Sequence, residues 1–150
     1  MSPDRLQAWG RQLRLVHQEL RAQANRIRES VQRGEAGTGL SAELTLFCLG
    51  FCGALTGHHV AEDERLFPRV LDAQPRLAAV TERLTEDHRL LSALLKDLDR
   101  VARTAGADEV LRHLDGISAI MESHFRYEER ELTPVLDSMT AREPDIRSLL

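Results

Sequence analysis

Apolar residues recur every three or four positions through four stretches of this chain, and none of the intervening sequence alternates with period two. That spacing is the signature of amphipathic α-helices rather than half-buried strands. The first stretch carries Leu6, Trp9, Leu13, Val16, His17, Leu20, Ala24 and Ile27. Ser2-Pro3-Asp4 precedes it as a start signal, with a capping hydroxyl, a proline in the first turn and an acid near the positive end of the dipole. Ser41 is placed to cap a second helix, whose stripe runs Leu44, Phe47, Phe51, Leu55, His58, Glu62, Leu66. A third carries Leu77, Val80, Leu84, His88, Leu91, Leu95 and Leu98; a fourth carries Val110, Leu114, Ile117, Met121, His124, Glu128, Leu132 and Val135.

The breaks between these stretches are short. Gly34-Glu35-Ala36-Gly37-Thr38-Gly39 reads as a loop; its glycines follow a helix rather than a strand, which excludes a phosphate cradle. Asp72-Ala73-Gln74-Pro75 and Ala105-Gly106-Ala107-Asp108 make the other two turns, and Arg142–Leu150, with Pro144, is expected to form a short terminal turn. Short loops between long helices imply antiparallel neighbours. The expectation is one all-α domain over residues 1–150, an up-down-up-down antiparallel four-helix bundle. Pro68 and Pro134 each follow an inward glutamate by six residues. A proline frees a carbonyl one turn earlier, so a kink is expected there, or plain helix termination at Pro68.

Composition narrows the function without naming it. A chain of 150 residues with 42% hydrophobic and 29% charged residues suits one globular domain with a real core. The net charge of −4 comes from 24 acids and 20 bases that are intermixed, so no basic block argues for nucleic acid and no cationic face for a membrane. MSPDRLQAWG has neither the apolar core nor the cleavage site of a leader, and no apolar run is judged able to span a bilayer, so a cytoplasmic location is expected. Cys48 and Cys52, one turn apart, are poorly placed for a disulfide and read as small apolar residues at the core edge.

What remains is a set of groups that an apolar stripe should not carry. Each stripe holds one histidine near its middle, His17, His58, His88 and His124, and two of these are followed four residues later by Glu62 and Glu128. Residues i and i+4 share a helix face, so each His-x3-Glu aims an imidazole and a carboxylate at one point. His17 lies 14 residues after Pro3 and His88 13 after Pro75, while each descending His-Glu pair ends about ten residues before its helix does. At about 1.5 Å rise per residue the six groups fall in one layer. Buried charges need partners, and two metal ions would serve all six. An internal repeat agrees: His58-His59-Val60-Ala61-Glu62-Asp63-Glu64-Arg65-Leu66-Phe67-Pro68 aligns with His124-Phe125-Arg126-Tyr127-Glu128-Glu129-Arg130-Glu131-Leu132-Thr133-Pro134, matching His, Glu, the next acid, Leu and Pro.

From His17 through Pro134 this order of His, His-x3-Glu, His, His-x3-Glu resembles the hemerythrin-like family, the HHE cation-binding domain. The resemblance implies a non-haem di-iron site with an oxo or hydroxo bridge, in which His17, His58, His88 and His124 are terminal ligands and Glu62 and Glu128 bridge. Manganese or zinc could also occupy such a site. Oxygen-carrying members have a further histidine one turn beyond the third; here that position is Ser92, and the fourth helix has Glu at His+4 in place of an Asp at His+5. With four imidazoles, two bridging carboxylates and an oxygen bridge, roughly two of twelve positions on two six-coordinate metals stay open. The expected ligands are dioxygen, peroxide or nitric oxide, with peroxide decomposition favoured over oxygen carriage. The alternatives are a di-iron oxygenase acting on an organic metabolite, which needs an apolar pocket beside the metals, and a binding or sensing module without turnover.

Side chains outside the pattern have expectations too. His59, about 100° around the helix from His58, is expected at the surface or in a helix contact, with an alternate ligand set alongside Asp63 as the minority reading. His113 is too far from the layer and belongs near a helix end. Phe125, Asp63, Glu129 and Tyr127, the one phenol in the chain, lie close to the layer, where ordinary packing or support of the ligands are both open.

Overall fold

A computed structural model describes residues 8–34, 40–139 and 149–150, and among these every regular element is a helix. The expected start at Ser2-Pro3-Asp4, the glycine-rich residues 35–39 and residues 140–148 of the terminal segment lie outside the described residues. Helix α1 spans Trp9–Gln32, α2 spans Ala42–Ala61, α3 Phe67–Ala73, α4 Ala78–Thr104 and α5 Ala107–Met139. Ser41 caps α2 as its sequence position predicts: its Oγ accepts a hydrogen bond from the Leu44 N–H at 3.1 Å.

Between α2 and α3 the chain does not leave the helix. Glu62–Leu66 forms a π-helical turn, with the Phe67 N–H donating to the Glu62 carbonyl, and Pro68 sits in the first turn of α3. Termination at Pro68 is therefore corrected. Proline has no N–H to give and its ring collides with the carbonyl four residues earlier in a regular α-helix. Widening the turn just before it is one way for the helix to continue. Pro134 lies inside α5, which also runs on past it.

Helix α1 packs on α2 and α5, and α4 packs on the same two. Contacts at both ends set their directions. Gly10 N–H donates to Asp137 at 2.9 Å near one end of the α1–α5 pair, and Arg28 meets Asp115 at 2.9 Å near the other. Thr45 reaches the Ala102 carbonyl and Thr85 reaches Asp63, both at 3.3 Å, so α2 and α4 are also opposed. These pairings are compatible with the expected topology.

The apolar core is in two parts. Leu20, Ile27, Phe51, Leu55, Leu91, Leu98, Leu114 and Ile117 fill one end, and Trp9, Leu13, Leu66, Phe67, Leu84 and Leu132 the other. On each long helix the histidine layer falls between them. Each fully buried Leu, Ile or Phe contributes about 1.5–3 kcal/mol relative to exposure, so the ends supply the stability and the layer between must justify its polarity some other way.

Two expectations about α2 change. Phe47 is 53% exposed and Leu46 67% exposed, while Cys48 takes the inward place with Phe51, Cys52 and Leu55. One residue is about 100° of rotation, enough to turn position 47 outward once 48 faces in. Burial pushes the Cys48 thiol up to about 11 and the Cys52 thiol up to about 12, which leaves both inert as thiolates. In addition, the continuous helix Ala42–Ala73 is long and apolar enough by length and composition to cross a bilayer, which the sequence reading had excluded. Its inward face carries His58, His59 and Glu62 and packs on α1 and α4, as a core helix does.

Candidate metal centre

All six side chains singled out by the sequence are buried and meet in one layer. They meet as two groups rather than one. His17, His58, Glu62 and Glu128 form the first, and His59, Glu62, His88 and His124 the second; within each group one nitrogen or oxygen per residue lies within 4.8 Å of the others. Glu62 belongs to both. Its Oε1 is 3.4 Å from His58 Nε2 and 3.3 Å from His88 Nε2. Glu128 belongs to the first, with Oε1 at 2.9 Å from His17 Nε2, while its Oε2 leans to within 3.8 Å of His124 Nε2.

His59 is corrected in part: it makes the expected helix contact, on α4, but it is not at the surface and it joins the second group. It is 5% exposed, and its ring stacks on His88 with centroids 3.9 Å apart and planes at 12°. The 100° between His58 and His59 does not carry one of them out to solvent, because α2 lies between α1 and α4 and buries a wide arc. His58 faces His17 on α1 and His59 faces His88 on α4, with Glu62, one turn on, between them. The doublet His58-His59 followed by Glu62 was the available signal. A single stripe per helix was too narrow a reading of it.

The internal repeat reappears in three dimensions. The lone histidines of α1 and α4 are each held by the acid that follows the glutamate of the facing helix. His17 Nδ1–H donates to Glu129 at 2.9 Å, and His88 Nδ1–H donates to Asp63 at 2.8 Å. Each ring is also stacked by the residue after the other histidine: Phe125 lies 3.8 Å from His17 at 5°, as His59 does on His88. Asp63 and Glu129 thus support histidines, and the Asp63 alternate ligand set is not what the geometry assembles. His124 Nδ1–H donates to Asp87 at 3.0 Å. Asp87 was missed, since nothing local in the sequence links it to His124. It precedes His88, and the equivalent residue before His17 is Val16, which has no acceptor. Accordingly, His58 Nδ1 is buried without a hydrogen-bond partner.

Carboxylates can only accept, so at His17, His88 and His124 a proton sits on Nδ1, and Nε2 is the atom that faces inward. Burial lowers His58 to about 3 and also lowers His59 and His124, which keeps these imidazoles neutral, the form that binds metal. His17 moves the other way; burial opposes its charge, but Glu128 and Glu129 outweigh it. Burial raises Glu62 well above the carboxylate range, reinforced by the charge of Glu128. Burial would do the same to Glu128, but the hydrogen bond and charge of His17 hold it below that range.

A cation fits what these groups lack. Nε2 of His58 and of His59 and both oxygens of Glu62 are buried with no hydrogen-bond partner, and His17 Nε2 and the Glu128 oxygens also lack an aligned one. His88 Nε2 and His124 Nε2 face each other at 3.1 Å. Both rings already donate from Nδ1, and a cation between the two Nε2 atoms would serve both. Unpaired buried polar atoms each cost about 1–3 kcal/mol, and so many in one layer need a shared partner. Two other residues stand apart. His113 is half-buried on α5 in neither group, and the Tyr127 ring is clasped by Arg83 at 4.0 Å and Arg130 at 5.4 Å, a packing role.

Helices of this order with two adjoining clusters of imidazole and carboxylate define a helical protein built to hold cations. The chain belongs to the hemerythrin family: the sequence profile of the hemerythrin HHE cation binding domain matches residues 11–136. Comparison with curated proteins and with solved structures gives no match.

Proposed function

We propose that the four long helices form an up-down-up-down antiparallel bundle around a dinuclear iron centre that binds or reacts with dioxygen, peroxide or nitric oxide. The observation that carries this reading is the pair of buried groups sharing Glu62, whose inward atoms find no other partner. His17, His58, Glu62 and Glu128 would hold one iron; His59, His88, His124 and Glu62 would hold the other. Imidazole with carboxylate suits iron, and manganese or zinc would also be accepted. Such a pair, when bound, supplies two redox equivalents to a small oxygen or nitrogen species. The chain's own part is positional. Asp63, Asp87 and Glu129 fix three imidazole tautomers, burial keeps His58, His59 and His124 neutral, and Phe125 covers His17 against water.

Peroxide consumption is the activity to test first. Protein purified aerobically should hold about two irons per chain, absorb in the near ultraviolet, and release oxygen from added peroxide. A second reading, reversible oxygen binding, draws support from His59. It provides a fifth imidazole from α2 although Ser92 leaves the α4 position empty of one, so fewer places stay open than four histidines imply. Stable dioxygen binding without peroxide turnover would select this second reading. The oxygenase alternative asks for an apolar pocket; the cleft that reaches the layer exposes mainly apolar surface, with Val60, Ala93 and Leu95 in its lining beside Asp63, Arg89 and Lys96, and hydroxylation of an added metabolite would select that reading. A cytoplasmic location and the absence of nucleic-acid and membrane partners are part of the same proposal.

A further inference from the structure

We propose that the outward face of α2 docks against the same face of a second copy of this chain, the two helices lying antiparallel across a two-fold axis beside Gly53 and Ala54. The face is apolar where a surface helix should be charged. Apart from its buried histidines, α2 carries one formally charged side chain, Glu43, and Leu46, Phe47, Gly50, Gly53, Gly57 and Val60 are all exposed. The other long helices carry ion pairs on their outer faces: Arg26 with Glu19 on α1, Arg89 with Glu86 on α4, Arg126 with Glu122 on α5. Glycine in a helix interior lowers stability relative to alanine. A Cβ added at Gly50, Gly53 or Gly57 would meet nothing within 4 Å, so nothing inside one chain calls for these three. A second helix does, because the distance between packed helix axes falls with the size of the side chains at the contact.

Charge and area select the occupant. Glu43 and Arg65 stand equally far before and after Ala54 in the chain, each about three turns or 16 Å away along the axis. Both are exposed, and among the described residues neither has a hydrogen bond or ion pair. A two-fold that reverses the helix sets Glu43 of each chain against Arg65 of the other, whereas a parallel pairing sets like charge against like. Glu64 adjoins Asp63, which contacts Thr85 and His88, and so lies toward the α4 edge of the face. Thr45 meets Ala102 and Asp63 meets Thr85, so the same reversal brings Glu64 level with Arg103 of the second copy. The face is thus complementary to itself, as a closed pair of identical surfaces requires. A strip about 33 Å long and about 10 Å wide offers about 330 Å², in the range where an exposed apolar patch on a monomer is often functional. A stable interface takes about 600–800 Å² from each partner. The flanking helices α1 and α4 must supply the rest, so the dimer should depend on concentration rather than be permanent. A lipid surface is the poorer occupant: it favours a basic rim, and drawing α2 into a bilayer would remove His58, His59 and Glu62 from their layer.

The test is sedimentation of the full chain, with and without metal, from about 1 to about 200 µM, the range in which an interface of this size should assemble. The mass should rise across it from one 16.9 kDa chain toward two. Phe47→Glu and Gly57→Leu should each weaken association about tenfold or more at unchanged helicity and metal content. Gly57→Ala should weaken it less while raising the urea midpoint of the dissociated chain, a combination that damage to the fold does not produce. Glu43→Arg or Arg65→Glu alone should weaken association several-fold, and the two together should restore it. Failure of the double exchange to restore it overturns the antiparallel pairing. A single-chain mass at every concentration, or a dimer that Phe47→Glu leaves intact, overturns the proposal. Flotation with vesicles of phosphatidylcholine and phosphatidylglycerol supplies the lipid arm. Vesicle binding that Phe47→Glu abolishes, with no rise of mass in solution, would assign the face to a membrane and overturn the second copy.

Discussion

Replacing His59 with phenylalanine copies into the second group an arrangement that the first already has. Phe125 occupies the repeat-equivalent position and stacks on His17 at 3.8 Å, as His59 stacks on His88 at 3.9 Å, so the ring contact survives the exchange. Two opposing terms act on the metal-free fold. The larger ring costs about 1–3 kcal/mol if the site cannot relax, and removing a buried nitrogen without a partner returns about 1–3 kcal/mol. Thermal unfolding in a chelator should therefore shift little. Metal binding has no such compensation. The second group falls from four residues to His88, His124 and Glu62. Loss of a supporting hydrogen bond alone weakens a site about 10–100-fold, and loss of a ligand should exceed that range, at least about 2.7 kcal/mol at 1.36 kcal/mol per tenfold. Iron measured by mass spectrometry after desalting should drop from about two per chain to about one, with the first group still filled. Two irons retained at undiminished affinity would refute the assignment of His59. Loss of helix together with both irons would refute the claim that its packing is what Phe125 provides across the repeat.

Glu62→Gln should disturb both irons, since Glu62 belongs to both groups, whereas Glu128→Gln should chiefly disturb the first; Mössbauer spectra resolve the two sites, and the reverse pattern would reject the division. Val16→Asp supplies the acceptor that His58 Nδ1 lacks and should tighten iron at the first group, while Asp87→Asn should weaken the second by about 10–100-fold in competition with a chelator. Gly10→Ala places a methyl 2.6 Å from Asp137 Oδ1 and 3.0 Å from Thr133, displacing the acceptor of its own N–H, so it should lower stability by about 1–3 kcal/mol. Gly53→Ala meets nothing within 4 Å inside its helix and should raise stability by up to about 1 kcal/mol in the same urea titration. For the metal-free chain, His58 is shifted from 6.5 down to about 3, so the folded state binds fewer protons than the unfolded. Its contribution is complete above pH 6.5 and is lost as pH falls toward 3. His59 and His124 have the same sign, and these three outnumber His17 and Glu62, whose raised values have the opposite one. The urea midpoint should fall on acidification from pH 7 to 4, and a flat or rising midpoint would contradict the burial of neutral imidazoles.

The helices and six of the seven residues in the two groups were legible in the linear chain, because both follow from spacing. A 3.6-residue period places Leu13, His17, Leu20 and Ala24 on one buried face, and His-x3-Glu puts two ligand side chains on one side whatever surrounds them. Helix ends were legible where the cap is local, as at Ser41. Local chemistry did not settle Pro68, where a π turn lets the helix continue instead of stopping. His59 depended on how wide an arc α2 buries, and that is set by α1 and α4 lying on either side of it. Asp87 acts on a histidine of another helix, and Val16 fails to act on His58 for the same reason of placement. Periodicity belongs to one helix and is written in its own residues. Which neighbour completes a hydrogen bond or covers a ring, as Phe125 does for His17, depends on how the helices rotate and stand against each other, and that is decided only when they pack.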